Sequence, residues 1–278
     1  MSTASPPTPD PSAPSAPVPV AATRLRVVLV GTQHPGNIGS AARALKTMGL
    51  SRLVLVAPEK APNAESSALA AGADDVLEGA QVHATLAEAV ADCRLVLGCT
   101  ARSRRVSLEE LPPRVAAPRA VAAAAGGGEV ALVFGRERTG LDNEELQLCH
   151  AAIHIPANPE YSSLNLAAAV QVMAYELRLA LLGGTTATPP AAVARPAGDG
   201  DAGDPRDEPA THAQLEGFFA QLADTLDAID FHKGRAPESA MRKLRRVFLR
   251  ADLDVREVRL LRGVLADAQR MARLAGDE

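Results

Sequence analysis

The chain has 278 residues, 47% of them apolar and 22% charged, with a formal net charge of −4. This length and composition exclude a wholly disordered chain and leave room for one sizeable core plus a smaller unit. The negative balance confines any RNA-binding surface to local patches, and three cysteines without a CxxC pair exclude a disulfide framework. Tryptophan is absent and aromatic residues make up only 3%, so the core is expected to be aliphatic and alanine-rich. No apolar run approaches the roughly 18–20 residues that span a bilayer. The opening MSTASPPTPDPSAPSAPVPVAAT has neither the basic nor the apolar segment of a signal peptide. A cytoplasmic protein with no membrane partner is expected.

In chain order, residues 1–23 carry almost no charge and too little apolar surface to offset ordering entropy, and read as a disordered tail. Residues 24–184 alternate short β-branched runs with helical patterns. The runs at Arg26–Val30, Leu53–Val56, Leu95–Leu97 and Val130–Phe134, with a weaker one at Ile153–Ile155, look like buried parallel strands. Helical stretches fall between and after them, at Asn37–Met48, Glu65–Ala71, Leu86–Ala91, Asn143–Cys149 and Ser163–Leu182. This alternation predicts an α/β domain with a parallel sheet, whose ligands bind beyond the carboxyl ends of the strands. Residues 185–210 are rich in Pro, Gly and Asp and read as a flexible linker. Residues 211–278 show no strand signal. Leu215, Phe218, Phe219, Leu222, Leu226 and Ile229 form one helical stripe, and Met241–Arg250 and Val255–Leu274 continue the pattern, predicting a small helical domain.

Three loops of the α/β part carry candidate chemistry. After the first strand comes Gly31-Thr-Gln-His-Pro-Gly36-Asn37-Ile-Gly39, a turn of the kind that cradles phosphate at a helix N-terminus. Its glycine spacing is not GxGxxG, and Asn37 stands where a P-loop needs Lys, so a nucleoside-triphosphate site is not expected. Asn37 reads as an N-cap. Ile38, Ala41, Ala42, Leu45 and Met48 share one face of the following helix and leave Arg43 and Lys46 on the other, a solvated face being the plain alternative for those two. The second loop, Gly135-Arg-Glu137-Arg-Thr-Gly140-Leu-Asp142, has glycines that suggest close backbone approach, and Asp142 with Glu145 resembles a capping box. The third, Ala157-Asn-Pro-Glu-Tyr-Ser162-Ser163-Leu164-Asn165, opens an apolar helix that Ser162 or Ser163 could cap, while Asn165 is harder to explain by capping alone. No HExxH motif or Cys/His cluster exists, and no metal is expected.

Together the three loops resemble the three motifs of the SPOUT methyltransferases in their TrmH-like branch: GNIGSAARALKTMGL, ALVFGRERTGLDNEEL and IPANPEYSSLNLAAAVQVMAYELRLA. The likeness extends through CTARSR at Cys99–Arg104 and into MRKLRRVFLRADLDVREVRLLRGVL. Composition alone gives an open doubly wound sheet, knots being rare. The resemblance instead implies a trefoil-knotted methyltransferase domain and a homodimer with active sites at the subunit interface. It also implies S-adenosylmethionine-dependent 2′-O-ribose methylation of tRNA at nucleotide 32 of the anticodon loop, on cytidine or uridine. Carried over, it puts Cys99, Thr100, Ala101, Gly135, Ile155, Ser162, Ser163 and Leu164 around the cofactor. Arg43 becomes the catalytic arginine, with Asn37, Glu137, Ser163 and Asn165 around the reacting centre. A non-catalytic RNA-binding protein on the same scaffold is the alternative.

Lys233–Arg262 holds ten Lys or Arg against four Asp or Glu. With Met241, Leu244, Val247 and Phe248 on one face, Arg242, Lys243, Arg245, Arg246 and Arg250 are expected to cover the other. Such single-sign clustering suits a surface that tracks RNA phosphates.

Overall fold

A computed structural model describes residues 19–101, 108–183, 208–234 and 236–276. The expected tail at 1–18, the expected linker at 185–207 and the end of the CTARSR stretch lie outside the described residues. The first unit runs α1 (Val20–Thr23), β1 (Leu25–Val30), α2 (Pro35–Thr47), β2 (Arg52–Val56), α3 (Ala64–Ala70), α4 (Asp74–Glu78), β3 (Gln81–His83) and α5 (Leu86–Ala89). It continues through β4 (Cys93–Cys99), β5 (Glu110–Leu111), α6 (Pro113–Ala125), β6 (Glu129–Phe134), α7 (Asn143–Gln147), β7 (Ala151–Ile153) and α8 (Leu166–Leu181). The second unit comprises α9 (His212–Ala228), α10 (Pro237–Ala251) and α11 (Val255–Gly276).

The seven strands form one sheet in the order β3-β2-β1-β6-β4-β7-β5, and every pairing is parallel. Side chains alternate across the pleat, so the β-branched runs feed two cores at once. Leu25, Val27, Leu29, Leu132 and Phe134 pack with residues of α2, α6 and α8 on one face. Val28, Val30, Val96, Ala131 and Val133 meet Leu86, Ala89, Leu146 and Cys149 on the other. The glycine at 39 is demanded by this packing: a Cβ there would lie 2.0 Å from the Ser66 carbonyl oxygen, where α2 crosses α3. β7 lies between β4 and β5, so a strand late in the chain separates two consecutive ones.

The first unit begins earlier than expected. Val20–Thr23 is a helical turn, and Ala21 and Ala22 are buried in the same core, so these residues leave the expected tail. The second unit likewise starts before residue 211, since the buried Ala210 donates its N–H to Leu253 O at 2.9 Å. Among the described residues no helix is long and apolar enough to cross a membrane.

Where the strands begin, Arg26 is buried and braced by Asp92 and Glu129, the latter shared with Arg52. Burial pushes both carboxylates upward, but hydrogen bonds from Arg26 outweigh it and hold them below the usual carboxylate range.

The helical unit closes over its own core of Leu215, Phe218, Phe219, Leu222, Leu226 and Val258, with Phe248 edge-on to Phe218 at 4.8 Å. It docks on the first unit through polar groups. His212 Nε2 lies 3.1 Å from Leu148 O, Arg245 Nε donates to Gln147 O at 2.9 Å, and Ala213 N donates to Ala91 O at 3.0 Å. This corrects the expected RNA-facing set. Arg245 pairs with both carboxylate oxygens of Glu216 and lies over the Phe219 ring at 4.5 Å, its side chain only 16% exposed. Arg242, Lys243, Arg246 and Arg250 are exposed as expected. Val247, expected on the apolar face, is half exposed, and Leu249 takes its place in the core.

Candidate active site

The loops after β4, β6 and β7 converge on one cleft of about 880 Å³, its open mouth included. All eight residues expected around a cofactor line it: Cys99, Thr100, Ala101, Gly135, Ile155, Ser162, Ser163 and Leu164. Backbone hydrogen bonds brace the walls of the cleft. Thr100 N donates to Ile153 O at 2.9 Å, and Gly140 N donates to Arg136 O at 2.8 Å. The glycines of the second loop do mark close approach, but to the loop's own backbone: a Cβ on Gly135 would sit 2.2 Å from Gly140 C. The expected capping box is present, with Glu145 N donating to Asp142 Oδ1 at 2.8 Å and Asp142 N to Glu145 Oε2 at 2.7 Å. Glu145 also binds Arg136 Nη1 at 2.9 Å, which steers that arginine along the cleft wall across Gly31.

Glu137 is the anchor of a second arrangement. Its carboxylate accepts the N–H groups of Gln33 (3.1 Å) and His34 (3.2 Å) and the Nδ2 of Asn37 (2.9 Å) at the start of α2. The helix N-terminus that would attract a phosphate is thus occupied by the protein's own carboxylate. Burial pushes the Glu137 carboxyl up, but Asn37 and the two amides outweigh it and hold it below the usual range. Asn37 is therefore not the N-cap. His34 stands at that position without a side-chain cap, Pro35 opens the helix, and Asn37 is freed to bridge. Its Oδ1 accepts from Asn165 Nδ2 at 3.2 Å. Asn165, not Ser162 or Ser163, caps α8, its Oδ1 accepting from Ala167 N (2.9 Å) and Ala168 N (3.4 Å).

Of the five expected catalytic residues, Asn37, Glu137 and Asn165 form one hydrogen-bonded chain, and Ser163 and Glu137 face the cleft. Arg43 does not line it. It sits six residues beyond Asn37 on α2, about 9 Å along the axis, exposed and without an ion pair among the described residues. Sequence reasoning did not assign Phe134, Arg136, Arg138, Thr139, Gly140, Leu166 and Ala169 to the cleft. The charge density of the second loop was the readable signal for the two arginines. The apolar members look like ordinary core.

The lining suits an adenosyl group carrying an amino-acid tail. Phe134, Ile155, Leu164 and Leu166 offer apolar contact, while Ser162 and Ser163 offer hydroxyls. Burial pushes the Cys99 thiol up to about 12, so it stays protonated and acts as a small apolar wall.

Residues 24–175 match the SpoU rRNA Methylase family, and residues 213–277 match the C-terminal domain of the tRNA methyltransferase TrmJ. The chain is 47% identical over 253 residues to the tRNA (cytidine/uridine/adenosine-2′-O-)-methyltransferase TrmJ of Pseudomonas aeruginosa, covering 90% of this chain and 95% of the relative. It is 49% identical over 246 residues to the tRNA (cytidine/uridine-2′-O-)-methyltransferase TrmJ of Salmonella typhimurium, covering 88% and 96%. Among solved structures, TrmJ from Z. mobilis superimposes with a TM-score of 0.69 at 35% identity, over 87% of this chain and 97% of that one. The two domain matches, in this order and over most of the chain, show that it belongs to the SpoU methylase family, in the TrmJ-like branch.

Proposed function

We propose that the chain is an S-adenosylmethionine-dependent tRNA 2′-O-ribose methyltransferase acting on a pyrimidine at nucleotide 32 of the anticodon loop. The observation that carries this reading is the cleft, which brings the loops after β4, β6 and β7 together beside the Glu137–Asn37–Asn165 chain. The names of relatives that align over most of this chain support the substrate class and the reacting hydroxyl.

Cys99, Thr100, Ala101, Gly135, Ile155, Ser162, Ser163 and Leu164 would hold the cofactor. When bound, it supplies an electrophilic sulfonium methyl. The residues of the chain would hold the ribose hydroxyl near that group, and such positioning can supply several kcal/mol of the rate enhancement. Glu137, Asn37 and Asn165 fix the first turn of α2 against the mouth of the cleft. Arg43 orients the hydroxyl and stabilises charge growing on its oxygen, an RNA phosphate taking the proton. A guanidinium with a pKa above about 12 suits this donor role better than that of a base.

Arg43 lies outside its own chain's cleft, which supports a homodimer in which Arg43 of the partner subunit completes the site. The insertion of β7 between β4 and β5, two strands consecutive in the chain, supports the trefoil knot. Arg242, Lys243, Arg246 and Arg250 offer the exposed positive charge for tRNA phosphates. A cytoplasmic location completes the reading.

The test is methyl transfer from labelled S-adenosylmethionine to purified tRNA, with the product located by nuclease digestion and mass spectrometry. A tRNA with 2′-deoxyribose at nucleotide 32 should accept nothing. Transfer to a base, or to that deoxy substrate, would sink the reading. Binding of both ligands without transfer would leave a non-catalytic RNA-binding protein.

A further inference from the structure

We propose that Tyr161 is a stacking platform for the base of the nucleotide being methylated, an inference that rests on the proposed tRNA methyl transfer. Tyr161 is 83% exposed, more than any other large apolar side chain described, in a chain with two tyrosines and no tryptophan. It directly precedes Ser162, Ser163 and Leu164, which line the cleft, yet it does not line the cleft itself. Its ring therefore stands at the lip, outside the space assigned to the adenosyl group.

The backbone there is set in advance. Asn158 Oδ1 accepts from Glu160 N at 3.1 Å, and Asn158 O accepts from Tyr161 N at 2.9 Å, an Asx-turn closed by a second bond. A ring on a fixed turn has only two side-chain torsions to lose on binding, a small ordering cost. The reaction explains why a flat partner belongs there. Only the ribose hydroxyl has to enter the cleft, which leaves the attached base free to lie against its lip. Unpaired bases stack readily on exposed aromatic rings, and this contact tolerates either pyrimidine. The surroundings suit a lone planar ligand. Asn158, Pro159, Glu160 and Ser163 are all exposed beside Tyr161, so no continuous apolar patch surrounds the ring.

The experiment compares wild type, Tyr161→Phe and Tyr161→Ala in steady-state methyl transfer. Calorimetry with S-adenosylmethionine and sedimentation of each protein accompany it. Stacking measured by alanine substitution corresponds to roughly a 5- to 150-fold rise in KM for tRNA in the alanine variant. The phenylalanine variant should stay within about twofold of wild type, because it keeps the π face. Cofactor affinity and mass should not change. On tRNA carrying an abasic ribose at the methylated position, wild type and Tyr161→Ala should converge, since the stacking partner is gone. The proposal fails if the alanine variant matches wild type on normal tRNA, or if its defect persists on the abasic substrate. It also fails if the loss traces to weaker cofactor binding or to a change in mass. Wild-type protein that transfers no methyl to tRNA defeats both this inference and the function beneath it; active wild type with an indifferent Tyr161 defeats only this one.

Discussion

Asn165 Nδ2 donates to Asn37 Oδ1 at 3.2 Å, while the Oδ1 of the same Asn165 caps α8. One side chain thus serves stability with its oxygen and site geometry with its nitrogen, and substitutions can separate the two. Asn165→Asp keeps a capping oxygen but loses the donor to Asn37, so thermal stability should stay close to wild type while kcat falls. Asn165→Ala loses both and should also cost about 1 kcal/mol of stability, the usual value of a lost cap. Thermal melts beside single-turnover rates test this. An aspartate variant with unimpaired turnover would show that the link to Asn37 has no part in the reaction.

Arg43→Ala should lose about 10²–10³-fold in kcat, the scale for removing one donor to a developing oxyanion. Its affinity for S-adenosylmethionine should be unchanged, because Arg43 does not line the cleft. Arg43→Lys should fail as well, since a point charge does not reproduce the planar fork. Mixing Arg43→Ala with an excess of an inactive cleft variant such as Ser163→Trp should restore activity in mixed dimers if the arginine acts across the interface. Absence of such rescue, with subunit exchange confirmed, would place Arg43 in its own chain's reaction.

The interface between the two units should respond to acid. His212 is buried and His150 half-buried, their ring centroids 6.3 Å apart. Burial first, then Arg245, pushes His212 down to about 4; burial first, then His212 and Arg119, pushes His150 down to about 3. Both are neutral in the folded protein, whereas an unfolded histidine protonates near 6.5. The unfolded state therefore binds more protons in this window, so stability is full above about pH 6.5 and declines as pH falls toward 4. His212→Gln, which keeps an N–H for Leu148 O, should flatten that decline. Melting curves from pH 7 to 4.5 decide it, and equal slopes for the two proteins would rule out His212 as a contributor.

The sheet was legible because its signals are local, and the cleft residues followed from the likeness of three loops to family motifs. The β-branched runs at Leu25–Val30 and Glu129–Phe134 are bounded by charge or glycine, and the three motif loops sit where those strands end. Elements whose identity comes from their neighbours were missed. β3 and β5 are edge strands of three and two residues with little apolar content. α6 buries only alanines and Pro113 and carries Pro118 inside, so it has neither a leucine stripe nor an unbroken helical pattern. The role of Arg245 was hidden for the same reason. It differs from Arg242 and Lys243 only in what stands opposite, Glu216 and Phe219 of α9, and α7 beyond.

That distinction divides the basic helix into two experiments with opposite readouts. Reversing Arg242, Lys243 and Arg250 to glutamate removes exposed cations of α10 that form no ion pair with another described residue, so folding and cofactor binding should persist. Binding of tRNA should weaken, and its dependence on salt should flatten, because each phosphate neutralised contributes a log–log slope of about −0.7 on single strands and −0.9 on duplex. The loss should be similar for all tRNAs, since phosphate contacts position the substrate without reading bases. Arg245→Glu behaves differently. It places a carboxylate against Glu216, strips the cation from the Phe219 face and leaves Gln147 O without its donor. The helical unit should then loosen from α7, seen as faster amide exchange in α9 and at Leu148, whose carbonyl faces His212. Affinity for tRNA measured at several salt concentrations, beside hydrogen exchange of both variants, separates the two roles. A triple reversal that kept both the wild-type affinity and the wild-type slope would move the RNA off α10. Arg138, an exposed arginine on the cleft wall, would then be the next candidate for the phosphate contact.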